Sequence, residues 1–184
     1  MRLRDYFSKM RGSTRGSPPR VSTREVFSSW LASFVGIATV AWVSREVTFL
    51  TGHDITLMIG SFGASAVLVF GAILSPLAQP RNLIGGHVLS ALVGVLCWKY
   101  LHAYMWLAEA MAVSVAIALM HATRTLHPPG GATALIAVIG SVEIHKLGYF
   151  YILVPVALGS VTLLLVALLV NNLSKTRRYP EVWF

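Results

Sequence analysis

The run His127-Pro128-Pro129-Gly130-Gly131 stands at the entrance to an apolar stretch that ends near residue 142. Proline removes a backbone donor and glycine raises the entropic cost of a helix, so the run solves a local problem of backbone direction. Around it the sequence offers a particular set of polar groups. Ser61, Ser65 and Thr133 carry hydroxyls inside apolar runs, His87 lies a turn inside another, and Arg81, Asn82 and Arg124 flank such runs. Hydroxyls, imidazoles, guanidinium groups and free backbone N–H groups donate hydrogen bonds. Together they suit an anion. A metal site is not expected: six histidines contain no close pair at one-turn spacing, carboxylates are scarce inside the apolar runs, and the single Cys97 excludes a cysteine cluster or an internal disulfide. A serine hydrolase would need a base within reach of Ser61 or Ser65 and an acidic orienter, and no such acid is evident.

The elements that must hold these groups are membrane segments. Of 184 residues, 55% are hydrophobic and 12% charged, about half the charged share of a soluble domain. Apolar segments fall at roughly 26–44, 55–76, 83–101, 104–123, 130–142 and 149–171. Four approach or reach the ~20 residues that a helix needs to cross hydrocarbon, whereas 130–142 is too short. Residues 1–25 read as a basic tail with no signal-peptide core, and 174–184 as a second tail. With both tails cytoplasmic and six crossings, the outer side receives only Arg45, Lys99 and Lys146, as the positive-inside rule favours. The excess of +8 therefore marks membrane sidedness, and no nucleic-acid partner is expected.

Gly63-Ala64-Ser65-Ala66-Val67-Leu68 and Gly131-Ala132-Thr133-Ala134-Leu135-Ile136 share one pattern. Each follows a disrupted stretch, and each lies in the middle segment of three. The transmembrane domain, 26–173, divides into half-repeats of about 26–102 and 103–173, and an odd number of crossings per half makes the second run inverted. Inverted repeats with broken helices are a common transporter architecture. The expectation is an all-α polytopic bundle in which two short helices start near Gly63 and Gly131. Their N-termini would face each other near the midplane, where the dipoles and free N–H groups hold an anion. The competing interpretation makes the proline–glycine run a turn and the small residues a packing patch.

HPPGGATALIAVIG, SFGASAVLVFGA, SPLAQPRNLIGGH and the closing LLVALLVNNL…RRYP resemble, in order and from about residue 22 onward, the HPP family of integral membrane proteins. Members of that family in cyanobacteria and plastids are implicated in nitrite transport. The resemblance therefore implies passage of a small monovalent anion, nitrite first. The family is often described with four transmembrane segments, against the six counted here.

The expected substrate-binding set is Ser61, Gly63, Ser65, Arg81, Asn82, His87, Arg124, His127, Gly130, Gly131 and Thr133, with Pro128, Pro129, Gly85 and Gly86 shaping the backbone. Arg81 and Arg124 serve equally as anchors at the inner surface, and His127 as a brace for its own loop. Glu109 is placed near the outer boundary. The series Ala108, Ala112, Ala116 reads as close helix packing, and Trp30, Trp42, Trp98 and Trp106 as interfacial anchors. The functional expectation is a bacterial inner-membrane carrier or channel-like permease, without cofactor, metal or catalytic residues, that self-associates in the bilayer. A non-transporting assembly or sensor subunit is the main alternative.

Overall fold

The computed structural model describes Met10, residues 19–51 and residues 60–184, and every described element is helical. Most of the basic N-terminal tail lies outside the described residues, as do residues 53–59 of the disrupted stretch expected at 53–62, whose residues 60–62 are already helical. Helix α1 spans Thr23–Thr51, starting three residues earlier than the apolar run because Ser22 Oγ accepts the Glu25 N–H at 3.2 Å. Helix α2, Gly60–Ala66, continues as a π-turn over Val67–Gly71. A 3-10 turn at Pro76–Ala78 leads into α3, Pro80–Leu101, and a second at His102–Tyr104 leads into α4, Met105–Ala122. Helix α5 spans Pro128–Ile139, the short α6 Val142–Leu147, and α7 Leu158–Asn171. A kinked π segment, Ile152–Ala157, precedes α7, with extended backbone at Val154, where the following Pro155 disfavours a helical turn.

The short fifth segment is found, but its start differs from expectation. The two prolines do not form an extended entry to a helix at Gly131. Pro128 is the first helical residue, and only His127 is extended (φ −139°, ψ 102°). The reason is that a first-turn N–H has no partner inside the helix, so proline loses nothing there, and its fixed φ is already helical. At 12 residues α5 extends about 18 Å, well short of a ~30 Å hydrocarbon core. The apolar stretch Gly60–Gly71 is equally short. Among the described residues, three helical stretches have the length and apolarity to cross a membrane: Thr23–Leu50, Ile152–Asn171, and Pro80–Ala122, the last broken in two by the turn after α3.

The helices do not pack in sequence halves. One buried cluster joins α1, α2 and α7 around Phe62, Phe70, Tyr151 and Leu163, with Leu83, Ala91 and Val95 of α3 and Ala137 of α5 packed into its inner side, and a second joins α3, α4 and α5 around Ala108, Ala112, Ala116, Met120 and Ala134. The last long helix of each half, α3 or α7, thus packs with the first two apolar segments of the other half. The alanine series is fully buried, as its spacing indicated.

Residues 174–184 do not leave the bundle. Arg177 is buried, with its guanidinium bonded to Glu25 (2.6 Å), Ser29 (2.6 Å) and Asn171 (3.0 Å). Tyr179 donates to the Ala78 carbonyl at 2.7 Å, and burial raises its phenol above the ordinary range. Gln79 accepts from the backbone N–H groups of Glu181 and Val182, at 2.9 and 3.4 Å. The last residues therefore hook the turn at 76–79 to α1 and α7.

Candidate functional site

Where α2, α3 and α5 meet, five of the expected residues form one hydrogen-bonded cluster with no solvent exposure: Ser61, Ser65, His87, His127 and Thr133. Helix α2 presents Ser61 and Ser65 on one face because they are four residues apart. Helix α3 supplies His87, and α5 supplies Thr133 from its second turn and His127 from its N-cap. Ser65 Oγ lies 2.7 Å from His87 Nε2 and 2.9 Å from His127 Nε2. The other nitrogen of His87 lies 2.7 Å from Thr133 Oγ1, which is 2.9 Å from Ser61 Oγ. The two hydroxyls that match in the GA[ST]A pattern, Ser65 and Thr133, thus grip opposite nitrogens of one imidazole. Each also bonds the carbonyl four residues back, Ser61 at 3.1 Å and Pro129 at 3.3 Å.

The surroundings fix the rings. His127 Nδ1 lies 2.8 Å from the Leu77 carbonyl. Phe62 covers His87 with centroids 5.0 Å apart, and the two imidazoles are themselves 5.0 Å apart. The buried Tyr151 hydroxyl donates to the Thr133 carbonyl at 3.1 Å. No buried polar side-chain atom of a described residue lacks a partner, which is the condition for a polar cluster to be tolerable in an apolar interior.

The PRNLIGGH motif builds the floor of the site. Arg81 donates to the Thr123 carbonyl at 2.7 Å, closing the end of α4, and Asn82 donates to the Leu126 carbonyl at 2.9 Å. One turn later Gly85 and Gly86 let the loop 125–127 lie against α3: a Cβ on Gly85 would meet Thr125 Cγ2 at 2.6 Å, and one on Gly86 would meet His127 Cβ at 2.5 Å. Gly130 is buried between Ser90 and the Gly86 carbonyl, and Pro129 is buried beside it, while Pro128 is exposed. Arg124 is exposed, with φ +57°, at the left-handed residue that ends α4. These residues position His127.

Gly63 and Gly131 are not brought into the cluster. Gly63 faces an outer groove beside Trp30 and Phe34, and Gly131 faces another beside Val113 and Ile117. The Leu77 carbonyl, Phe62, Tyr151 and the C-terminal hook were not anticipated. Only the conjunction of SPLAQP with RRYP hinted at the last. The histidine that a hydroxyl nucleophile would need is present after all, in contact with Ser65. Among the described residues no acidic group completes a triad.

The comparison with protein families agrees with a transmembrane helix bundle. The family model for the HPP transmembrane region matches residues 18–180. The chain belongs to the HPP family. Two relatives in Dictyostelium discoideum are described as transmembrane proteins, 50% identical over 182 residues and 45% identical over 188 residues. These matches take in 97% and 100% of this chain but 57% and 65% of the relatives, so the chain spans less than two thirds of their length. No solved structure matches it.

Proposed function

We propose that this HPP-family membrane protein transports a small monovalent anion, with nitrite the first candidate, through the cluster between α2 and α5. The observation that carries this reading is the cluster's composition. It is wholly buried, joins two half-length helices, and contains hydroxyls and imidazoles but no carboxylate of a described residue. In the lipid interior such groups are costly, and they mark a pathway more often than a packing device. Its O–H and N–H donors suit an anion. The proposed location is a bacterial inner membrane, and the excess of basic residues in the tails supports an orientation with both termini cytoplasmic. The matched geometry of Ser65 and Thr133 supports the inverted repeat. Because the packing units are α1/α2/α7 and α3/α4/α5, alternating access on this reading moves those layers, not the sequence halves, against each other.

Flux into proteoliposomes tests this. Purified full-length protein is expected to admit nitrite faster than protein-free vesicles, with nitrate, formate and chloride as comparators. Ser65→Ala and Thr133→Val are each expected to reduce flux at least tenfold while the protein stays monodisperse. Wild-type protein that passes none of the four anions would favour the assembly-subunit reading. A hydrolase reading draws on the Ser65–His127 contact, and a fluorophosphonate probe separates it: no labelling of Ser65 is expected.

A further inference from the structure

The hydrogen positions in the cluster are set by its shortest contact to a carbonyl, 2.8 Å, ahead of the longer approaches of Ser65 to the Ser61 carbonyl (3.1 Å) and of Thr133 to the Pro129 carbonyl (3.3 Å). A carbonyl only accepts, so the His127 Nδ1 that faces Leu77 at 2.8 Å carries a hydrogen. With His127 neutral, its Nε2 is a lone pair, and the Ser65 hydroxyl must donate to it across 2.9 Å. Ser65 then accepts from His87 Nε2–H across 2.7 Å. If His87 is neutral, its Nδ1 takes the hydrogen of Thr133. If His87 gains a proton, Nδ1–H donates to Thr133 instead, and Thr133 turns its hydrogen to Ser61 Oγ, 2.9 Å away. Rotation of the Thr133 and Ser61 hydroxyls, without displacement of any heavy atom, is all that a proton requires.

Once there, the proton can move. The His87 Nε2–H bond breaks as its hydrogen passes to Ser65 Oγ, while the Ser65 O–H bond breaks and its hydrogen passes to His127 Nε2. His127 is then protonated on both nitrogens, His87 keeps Nδ1–H, and Ser65 donates back to His87 Nε2. The contacts among Leu77, His127, Ser65, His87, Thr133 and Ser61 each keep a hydrogen in both states, while the longer approaches of Ser65 and Thr133 to the Ser61 and Pro129 carbonyls go without one. A second proton is excluded because the rings are 5.0 Å apart, and two like charges at that distance in a dry site repel strongly.

What the site lacks is a counter-charge. The groups that face it are Ser61, Phe62 and Ser65 from α2, His87 and Ser90 from α3, Thr133 and His127 from α5, Tyr151 before α7, and the Leu77 carbonyl. Among these described groups there is no carboxylate and no fixed cation. A lone buried imidazolium would be severely penalised, and so would a lone buried anion. Each removes the other's penalty.

Building on the anion reading above, we infer that the cluster takes up one proton with each monovalent anion, holds it on His87 or His127, and passes it between them through Ser65. Cargo and proton together are neutral, so transport is electroneutral symport. Binding of the two is reciprocal: protons favour the anion as much as the anion favours protons.

The test uses full-length protein in weakly buffered detergent solution, with nitrate as the probe because nitric acid stays fully ionised. Calorimetry reads binding, and a pH indicator reads proton uptake. About one proton per bound nitrate is expected, with affinity rising about tenfold for each unit fall in pH over the range where the free site is deprotonated. His102→Gln, at the exposed turn after α3, is expected to leave uptake unchanged. His87→Gln with His127→Gln is expected to abolish it. Nitrate binding without proton uptake, or uptake that survives the double variant, overturns this inference and leaves the anion reading standing. No binding of nitrate, nitrite, formate or chloride overturns both.

Discussion

The two layers of this bundle are held together in different ways. In α3/α4/α5 the contacts are backbone against backbone: a Cβ on Gly94 would run into the Ala134 carbonyl and lie 2.7 Å from Ala137 Cβ, and one on Gly130 would lie 2.8 Å from the Gly86 carbonyl. In α1/α2/α7 the contacts are rings seated in notches. Phe70 lies over Gly36 and Phe62 over Gly159, each ring occupying the space where a Cβ would stand. Backbone atoms cannot yield, whereas a ring can turn. The first layer is therefore a rigid frame, and the second can repack. The polar cluster lies between them, with His87, His127 and Thr133 on the frame and Ser61 and Ser65 on the movable side.

The largest effect that would sharpen this contrast is expected from Gly94→Val. It forces the α3–α5 seam apart and is expected to cost about 3 kcal/mol, read from thermal unfolding in detergent. A variant as stable as the parent would break the rigid-frame account. Next comes Arg177→Ala, which strips the tie from Glu25, Ser29 and Asn171. Glu25 is partly exposed, so the expected cost is reduced to roughly 2 kcal/mol, with faster proteolysis of residues 174–184 as the accompanying sign. The smallest is Gly159→Ala, at about 1 kcal/mol, because Phe62 can swing. That ring covers His87, so flux is expected to fall severalfold despite the small cost in stability. Phe62→Leu in the same chain is expected to restore part of the flux. Equal stability losses in Gly94→Val and Gly159→Ala would remove the distinction between the layers.

Much of the fold was legible because its signals are local. Apolar run length marked the long helices, and the proline–glycine run marked α5 as short. The spacing of Ala108, Ala112 and Ala116 marked a packed face. The polar members of the site were legible too, since a histidine or paired hydroxyls inside an apolar run are costly unless they meet polar partners. Their meeting was not. His87 and His127 are 40 residues apart, and in a chain whose helices are apolar on every side no periodicity tells lipid-facing from core-facing positions. The same ambiguity misdirected Gly63 and Gly131, which face outer grooves where small residues widen the surface. It also hid the exchange of third helices between the halves. The tail 174–184 looked like a charged end left in water, because a guanidinium reads as solvent-seeking until a carboxylate 152 residues away is brought beside it.

The π-turn at Val67–Gly71 frees the Val69 carbonyl from regular pairing, and Asn171 at the end of α7 fills it at 3.0 Å. This bond and the seating of Phe62 on Gly159 tie the short helix to α7, and breaking the bond alone would cost about 1 kcal/mol. A displacement of Ser61 and Ser65 away from the imidazoles is therefore cheapest when α7 moves with them.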